Sequence, residues 1–261
     1  MPRIDSRQMG APCWLDLSTS DMKRAAEFYG ALFAWNVIDT GEEFGHYHMA
    51  SKGDAGIAGM MLKDDTQRDQ PDAWMVYLAV PDAAATAVAV REAGGQVVFD
   101  ADQVGELGAM TIATDPTGAW VGFWQSGQHK GFELWGEHGA PAWHELHTRD
   151  FDAASAFYGQ VLGVEVADMD MEGGPQYRTM KIDGEDQAGI MDAAAFLPEG
   201  VPSHWTVYFG VDDTDQVVAL AQELGGSLRS AAENTPFGRM ATVSDPMGAT
   251  FNVISVGEEP A

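Results

Sequence analysis

Trp143, Glu145 and His147 alternate along one short stretch of the chain, and they raise the first chemical question. The stretch reads as a strand, and residues two apart on a strand share a face. A carboxylate and an imidazole on one face can hold one substrate, one taking a proton while the other gives it. His144 completes a His-Glu-Leu-His string that looks like part of a metal motif, but on a strand it points away from Glu145 and His147. His46 and His48 share a strand face of their own within Phe44–Met49, without a third ligand. Cys13 alternates with Trp14, so it is expected under a helix as a small buried hydrophobe and not as a nucleophile.

A second set of side chains is aromatic. Trp14, Asp16 and Ser18 share one strand face, Met75 goes with Tyr77, and Trp120 with Gly122 and Trp124. Indole, phenol and thioether surfaces suit planar or apolar ligands.

The elements that must position these residues occur twice. Pro12–Leu17 is echoed by Pro141–Leu146, an offset of 129 (12 to 141), and Phe28-Tyr29-Gly30 returns as Phe157-Tyr158-Gly159. Trp74–Tyr77 matches Trp205–Tyr208, and Asp115-Pro116-Thr117-Gly118 matches Asp245-Pro246-Met247-Gly248. Order is kept and the offset barely drifts, so the chain is two copies of one domain rather than a solenoid. Within each copy a fainter duplication repeats strand, helix and strands. Ser20 and Asp21 supply capping oxygens before an apolar helical face of Met22, Ala25, Tyr29 and Leu32. The second half sets strand Met75–Val80 before a helix over Pro81–Arg91, stopped by Gly94-Gly95, and then a hairpin closed by Asp-Pro-Thr-Gly.

Composition removes several function classes. Lys and Arg number 14 against 40 Asp and Glu, a formal charge of −26, and such a surface repels phosphate polyanions. No nucleic-acid partner and no anionic membrane surface is expected. The best apolar run, Ala73–Val80, is far short of the roughly 20 residues a spanning helix needs. Met1–Gly10 carries no apolar signal region, and Cys13 is the only cysteine, so the expected compartment is the cytoplasm.

An Asp-capped Phe-Tyr-Gly helix, a Gly-Gly stop and an Asp-Pro-x-Gly turn before the last strand together resemble the vicinal oxygen chelate superfamily, which includes glyoxalase I, bleomycin-resistance proteins and extradiol dioxygenases. The resemblance runs over Pro12–Ser255 in both copies. It implies an α+β fold of two tandem glyoxalase/bleomycin-resistance-like domains, 10–126 and 141–256, joined by a linker at 127–140. Each domain would pair two βαβββ modules into a half-barrel whose concave face holds the site. On that face the resemblance gathers Trp14, Asp16, Met75, Tyr77, Trp120 and Trp124 in the first copy. In the second it gathers Trp143, Glu145, His147, Thr206, Tyr208, Thr250 and Asn252.

The metal-bearing members place ligands where this chain has Trp14 and Trp143, Met75 and Thr206, Gly122 and Asn252, with a further carboxylate near Gly56–Leu62 or Gln187–Asp192. None of the six named residues suits a divalent ion, so no metal ligand and no cofactor is expected. The expected function is a metal-free pocket for an aromatic or apolar metabolite or antibiotic, in a monomer or homodimer. One alternative is a glyoxalase-like lyase, isomerase or hydroxylase using Glu145 and His147, with or without a divalent metal. The other is a structural or sequestering module whose hollows are filled by their own side chains.

Overall fold

A computed structural model describes residues 4–171 and 173–257; Met1–Arg3, at the head of the stretch read above for a signal, lie outside the described residues. Strand β1 (Pro12–Thr19) leads into helix α1 (Met22–Phe33), followed by β2 (Asn36–Asp39), β3 (His48–Lys52) and β4 (Ala55–Leu62). The plan repeats as β5 (Ala73–Ala79), α2 (Ala83–Glu92), β6 (Gln96–Val104), β7 (Gly108–Thr114) and β8 (Trp120–Ser126). The second copy runs β9 (Pro141–Thr148), α3 (Phe151–Leu162), β10 (Glu165–Met169), β11 (Tyr177–Ile182) and β12 (Glu185–Asp192). It ends with β13 (His204–Val211), α4 (Thr214–Glu223), β14 (Ser227–Thr235), β15 (Gly238–Ser244) and β16 (Thr250–Ser255). Each copy is therefore two βαβββ modules, and the fold is α+β.

Each sheet has eight strands, in the order β2-β3-β4-β1-β5-β8-β7-β6 and its equivalent β10-β11-β12-β9-β13-β16-β15-β14. The modules meet where β1 runs antiparallel to β5, with Trp14 opposite Tyr77 and Asp16 opposite Met75. In the second copy β9 meets β13 in the same way, which sets Glu145 opposite Thr206 and His147 opposite His204.

Among the described residues, all four α-helices start on an aspartate. Asp21, Asp82, Asp150 and Asp213 accept from the amides of Arg24, Ala85, Ala153 and Gln216, each cap worth about 1 kcal/mol. Ser20, expected to share the first cap, instead donates its hydroxyl to Asp72 at 2.8 Å. Helix α2 begins at Ala83 rather than Pro81, because Asp82 holds the N-cap.

The helices lie between the sheets, and one hydrophobic core runs through both copies, with Tyr29, Phe33 and Trp35 packed on Phe209 and Phe251. The repeated motifs interlock here. The Tyr29 hydroxyl donates to Asp245 at 3.2 Å, and reciprocally Tyr158 donates to Asp115 at 3.2 Å. Each aspartate also accepts from the amides of its own Asp-Pro-x-Gly turn, at Thr117 and Ala119 or at Met247 and Ala249. Each tyrosine in turn accepts from an indole, Trp74 at 3.0 Å and Trp205 at 2.9 Å.

Candidate functional site

The concave face of each sheet carries the same four-residue cluster. In the second copy Glu145, on β9, is buried and accepts three hydrogen bonds: Tyr177 at 2.7 Å on Oε2, and Tyr208 at 2.9 Å and His147 Nε2 at 2.7 Å on Oε1. Trp143 Nε1 donates to the Tyr177 hydroxyl at 2.9 Å. Burial and the adjacent Glu145 carboxylate push both phenols well above their usual range, so they stay protonated and act as donors. Thr206 stands opposite Glu145, and Asn252, opposite Tyr208, hydrogen-bonds both Tyr208 and Thr242. Thr250 is exposed at the start of β16 and takes no part.

In the first copy Asp16 replaces Glu145. Tyr47 donates to it at 2.5 Å, Trp14 Nε1 reaches both Asp16 at 3.1 Å and the Tyr47 hydroxyl at 2.8 Å, and Tyr77 adds a further hydrogen bond. Burial raises the Asp16 carboxyl above the ordinary range, opposed by these three donors. Sequence reasoning missed Tyr47 and Tyr177. The repeat could have found them: they stand 130 residues apart (47 to 177), and each faces a glycine, Gly59 or Gly189, where a Cβ would overlap the phenol oxygen.

Those glycines decide whether the residues fit a divalent ion. Gly59 and Gly189 lie in the stretches where a carboxylate ligand was expected, and their space holds tyrosine hydroxyls. At Gly122 any side chain would collide with the Tyr77 ring. The remaining positions, Trp14, Trp143, Met75, Thr206 and Asn252, offer no imidazole or carboxylate. The donor set therefore does not fit the metal that the resemblance implies, and no cluster of three or more His, Cys, Asp or Glu suited to a metal occurs among the described residues.

The two hollows differ in what lies over them. After β8 the chain crosses the first hollow as a strap: Phe132 donates its amide to Cys13, and Glu133 exchanges hydrogen bonds with Gly56 through amide and carboxylate. The His129 ring sits edge-on to Trp14 at 4.3 Å and close to Trp124 at 5.6 Å, and the Trp124 indole donates to the His129 carbonyl. Trp14, Tyr77 and Trp124 are thereby buried with Phe132 in one small cluster. An open cleft of about 370 Å³ remains beside the strap, lined by Met49, Gly56, His129, Lys130 and Glu133 among others. In the second hollow Trp143 and His147 stay partly exposed. At its mouth His147 meets His204, with ring centroids 5.4 Å apart, and the half-exposed Phe196.

Several expectations need correction. Trp120 is 48% exposed at the start of β8, outside the cluster of Trp14 and Tyr77, so it stacks on neither. Cys13 is the extra residue of a bulge between Pro12 and Trp14, and it packs with Trp14 and Phe132 rather than under the helix. Burial raises its thiol, which leaves it unreactive. His46 and His48 share no strand face, because His46 lies outside β3 with a left-handed backbone (φ 57°), bonded to Asp39 at 2.9 Å. His144 does point away from Glu145, as expected. It lies stacked on Phe132 and Trp135 with both ring nitrogens unpartnered among the described residues, and burial lowers it to about 3.

Among the described residues no helix is long and apolar enough to cross a membrane. Residues 13–123 match the family model described as the Glyoxalase/Bleomycin resistance protein/Dioxygenase superfamily, and residues 143–254 match the one described as the Glyoxalase-like domain. The chain is 39% identical over 258 residues to a Mycobacterium tuberculosis protein named "Putative glyoxylase CFP32", covering 97% of this chain and 98% of that protein. It is 35% identical over 266 residues to the "Anthracycline biosynthesis protein DnrV" of Streptomyces peucetius, covering 95% and 94%. Among solved structures, the Mn(II)-bound glyoxalase from Novosphingobium aromaticivorans superposes with a TM-score of 0.67 at 15% identity, covering 97% of this chain and 84% of that one. The 2,3-dioxygenase LapB from Pseudomonas sp. KL28 gives 0.65 at 13%, covering 98% and 96%. At such identities these two likenesses concern the fold alone.

Proposed function

The chain belongs to the glyoxalase, bleomycin resistance protein and dioxygenase superfamily, and from that premise we propose that its second hollow binds a small planar, oxygen-bearing aromatic molecule without a metal at the family's ligand positions. One observation carries the reading: Glu145 is fixed by three donors beneath an indole and an imidazole that remain partly exposed. A ligand laid against Trp143 gains stacking area, while a phenol hydroxyl can donate to the free ring nitrogen of His147. The anthracycline-biosynthesis names of two relatives support a fused-ring ligand. The first copy, with its hollow strapped over, then serves as the structural half.

Alizarin, a planar dihydroxyanthraquinone, is a suitable probe. Its binding, followed by tryptophan quenching, should weaken at least about tenfold in Trp143→Ala, equivalent to about 1.4 kcal/mol. Trp120→Ala should leave it unchanged. If neither alizarin nor any of a panel of planar phenols and quinones distinguishes wild type from Trp143→Ala, the reading fails.

The 2.7 Å contact between His147 and Glu145 favours a second reading, in which the pair moves a proton on a bound carbonyl compound. Glu145 would accept the proton while His147, bonded to it through Nε2, holds the carboxylate in place, a contribution of about 10²–10⁴-fold in rate. Any turnover found should fall at least a hundredfold in Glu145→Gln. Full activity in that variant would leave Glu145 a polar strut.

A further inference from the structure

His147 and His204 face each other across β9 and β13, two register positions beyond the Glu145 and Thr206 pair and therefore next to it on the same face. Each imidazole has one nitrogen fixed by an acceptor that forces a proton onto it. Nε2 of His147 donates to the Glu145 carboxylate at 2.7 Å, and Nδ1 of His204 donates to the Pro202 carbonyl at 2.9 Å. The lone pairs are thereby left on Nδ1 of His147 and on Nε2 of His204. Carboxylates and carbonyls that orient imidazoles through the far nitrogen are the usual outer support of histidine metal ligands.

The spacing agrees with that role. Two imidazoles bound at about 2.0–2.1 Å to one tetrahedral ion place their ring centroids about 5.2 Å apart. Here the separation is 5.4 Å. Met191 stands opposite His147 on the other flank, in the same row, and a thioether beside two imidazoles suits a late transition ion. The first copy has Ser18 and Ala73 at the equivalent positions, so the pair is peculiar to the second hollow.

We propose that His147 and His204 form a two-imidazole site for an exchangeable late first-row ion such as Zn²⁺ or Cu²⁺, at the mouth of the second hollow. It does not use the positions that the family's metal ligands occupy, which are Trp143, Thr206 and Asn252 here. The remaining coordination positions are filled by water or by oxygens of a bound molecule. With two protein ligands the ion exchanges readily, and the site stands independently of the planar-ligand reading.

The test uses the full chain, washed with a chelator and titrated with Zn²⁺ by calorimetry. Wild type should bind about one ion per chain in a saturable event. His204→Ala and His147→Ala should each weaken it at least about tenfold, whereas His46→Ala, which removes an exposed imidazole beside Asp39, should not. If His147→Ala fails to fold, His204→Ala decides alone, since His204 is not bonded to Glu145. Electron paramagnetic resonance of the Cu²⁺ form should show two imidazole nitrogens in wild type and one in His204→Ala. No saturable Zn²⁺ binding by wild type, or equal affinity in His204→Ala, would overturn the proposal.

Discussion

His144 is the residue whose burial has the plainest consequence in solution. Its ring is fully buried against two aromatic rings, neither nitrogen has a partner among the described residues, and burial lowers it to about 3 with Arg7 adding to the effect. An unfolded chain takes up this proton near pH 6.5, whereas the folded chain does so only near pH 3. The unfolded state therefore binds more protons across that window, and the stability contributed by a neutral His144 is complete above pH 6.5 and lost as pH falls toward 3. Asp16, Asp115 and Asp245, raised by burial, act in the opposite sense, but equally in wild type and variant. His144→Phe should keep the stack and remove the titration. Urea unfolding at pH 7 and pH 5 should show the variant gaining on wild type by up to about 1.4 kcal/mol per pH unit below 6.5. Parallel pH profiles would mean that water reaches this ring. The alternation that turned His144 away from Glu145 was readable in the sequence, as was the shared face of Glu145 and His147. What the sequence hid was the strap, because nothing in residues 127–135 marks His129 as the ring that covers Trp14.

Strand β12 and its counterpart β4 are shaped by what faces them. Gly189 and Gly59 leave room for the hydroxyls of Tyr177 and Tyr47 on the neighbouring concave face, and these phenols hold the carboxylate in each copy. Gly189→Ala should thus act through Tyr177, whose rigid ring cannot fold aside. Displacing it breaks the 2.7 Å bond to Glu145 and removes the acceptor for Trp143. Overpacking of this kind costs about 1–3 kcal/mol. The expected outcome is a lower melting temperature with an altered Trp143 fluorescence. A Gly189→Ala protein that melts and fluoresces as wild type would place Tyr177 elsewhere in solution. The strands themselves were legible from period-two patterning and from turns such as Asp-Pro-Thr-Gly. Their side-chain economy was not, since a glycine in a strand can equally mark a bulge or a close approach.

Across the whole molecule, the two copies share their core instead of merely following one another along the chain. Tyr158 donates to Asp115 and accepts from Trp205, so one phenol ties the third helix to a turn of the first copy and a strand of the second. Tyr29 does the same in mirror order with Asp245 and Trp74. Repeats were the strongest signal in the sequence, yet a repeat alone is silent on whether its copies fold separately. The reciprocal Tyr–Asp bonds and the continuous aromatic core argue for one cooperative unit. Calorimetry should therefore record a single unfolding transition. Tyr158→Phe leaves the Asp115 carboxylate short of a donor and the Trp205 indole without its acceptor, both buried, at a cost of about 1–3 kcal/mol per unsatisfied group. Because the loss lies in the shared core, the single transition should shift downward as a whole. A formal charge of −26 also opposes compaction, so added salt should raise the same transition in wild type and variant alike. Two separate transitions in wild type, or a Tyr158→Phe variant in which only half of the unfolding enthalpy moves, would show that the copies unfold independently and that the shared core does not couple them.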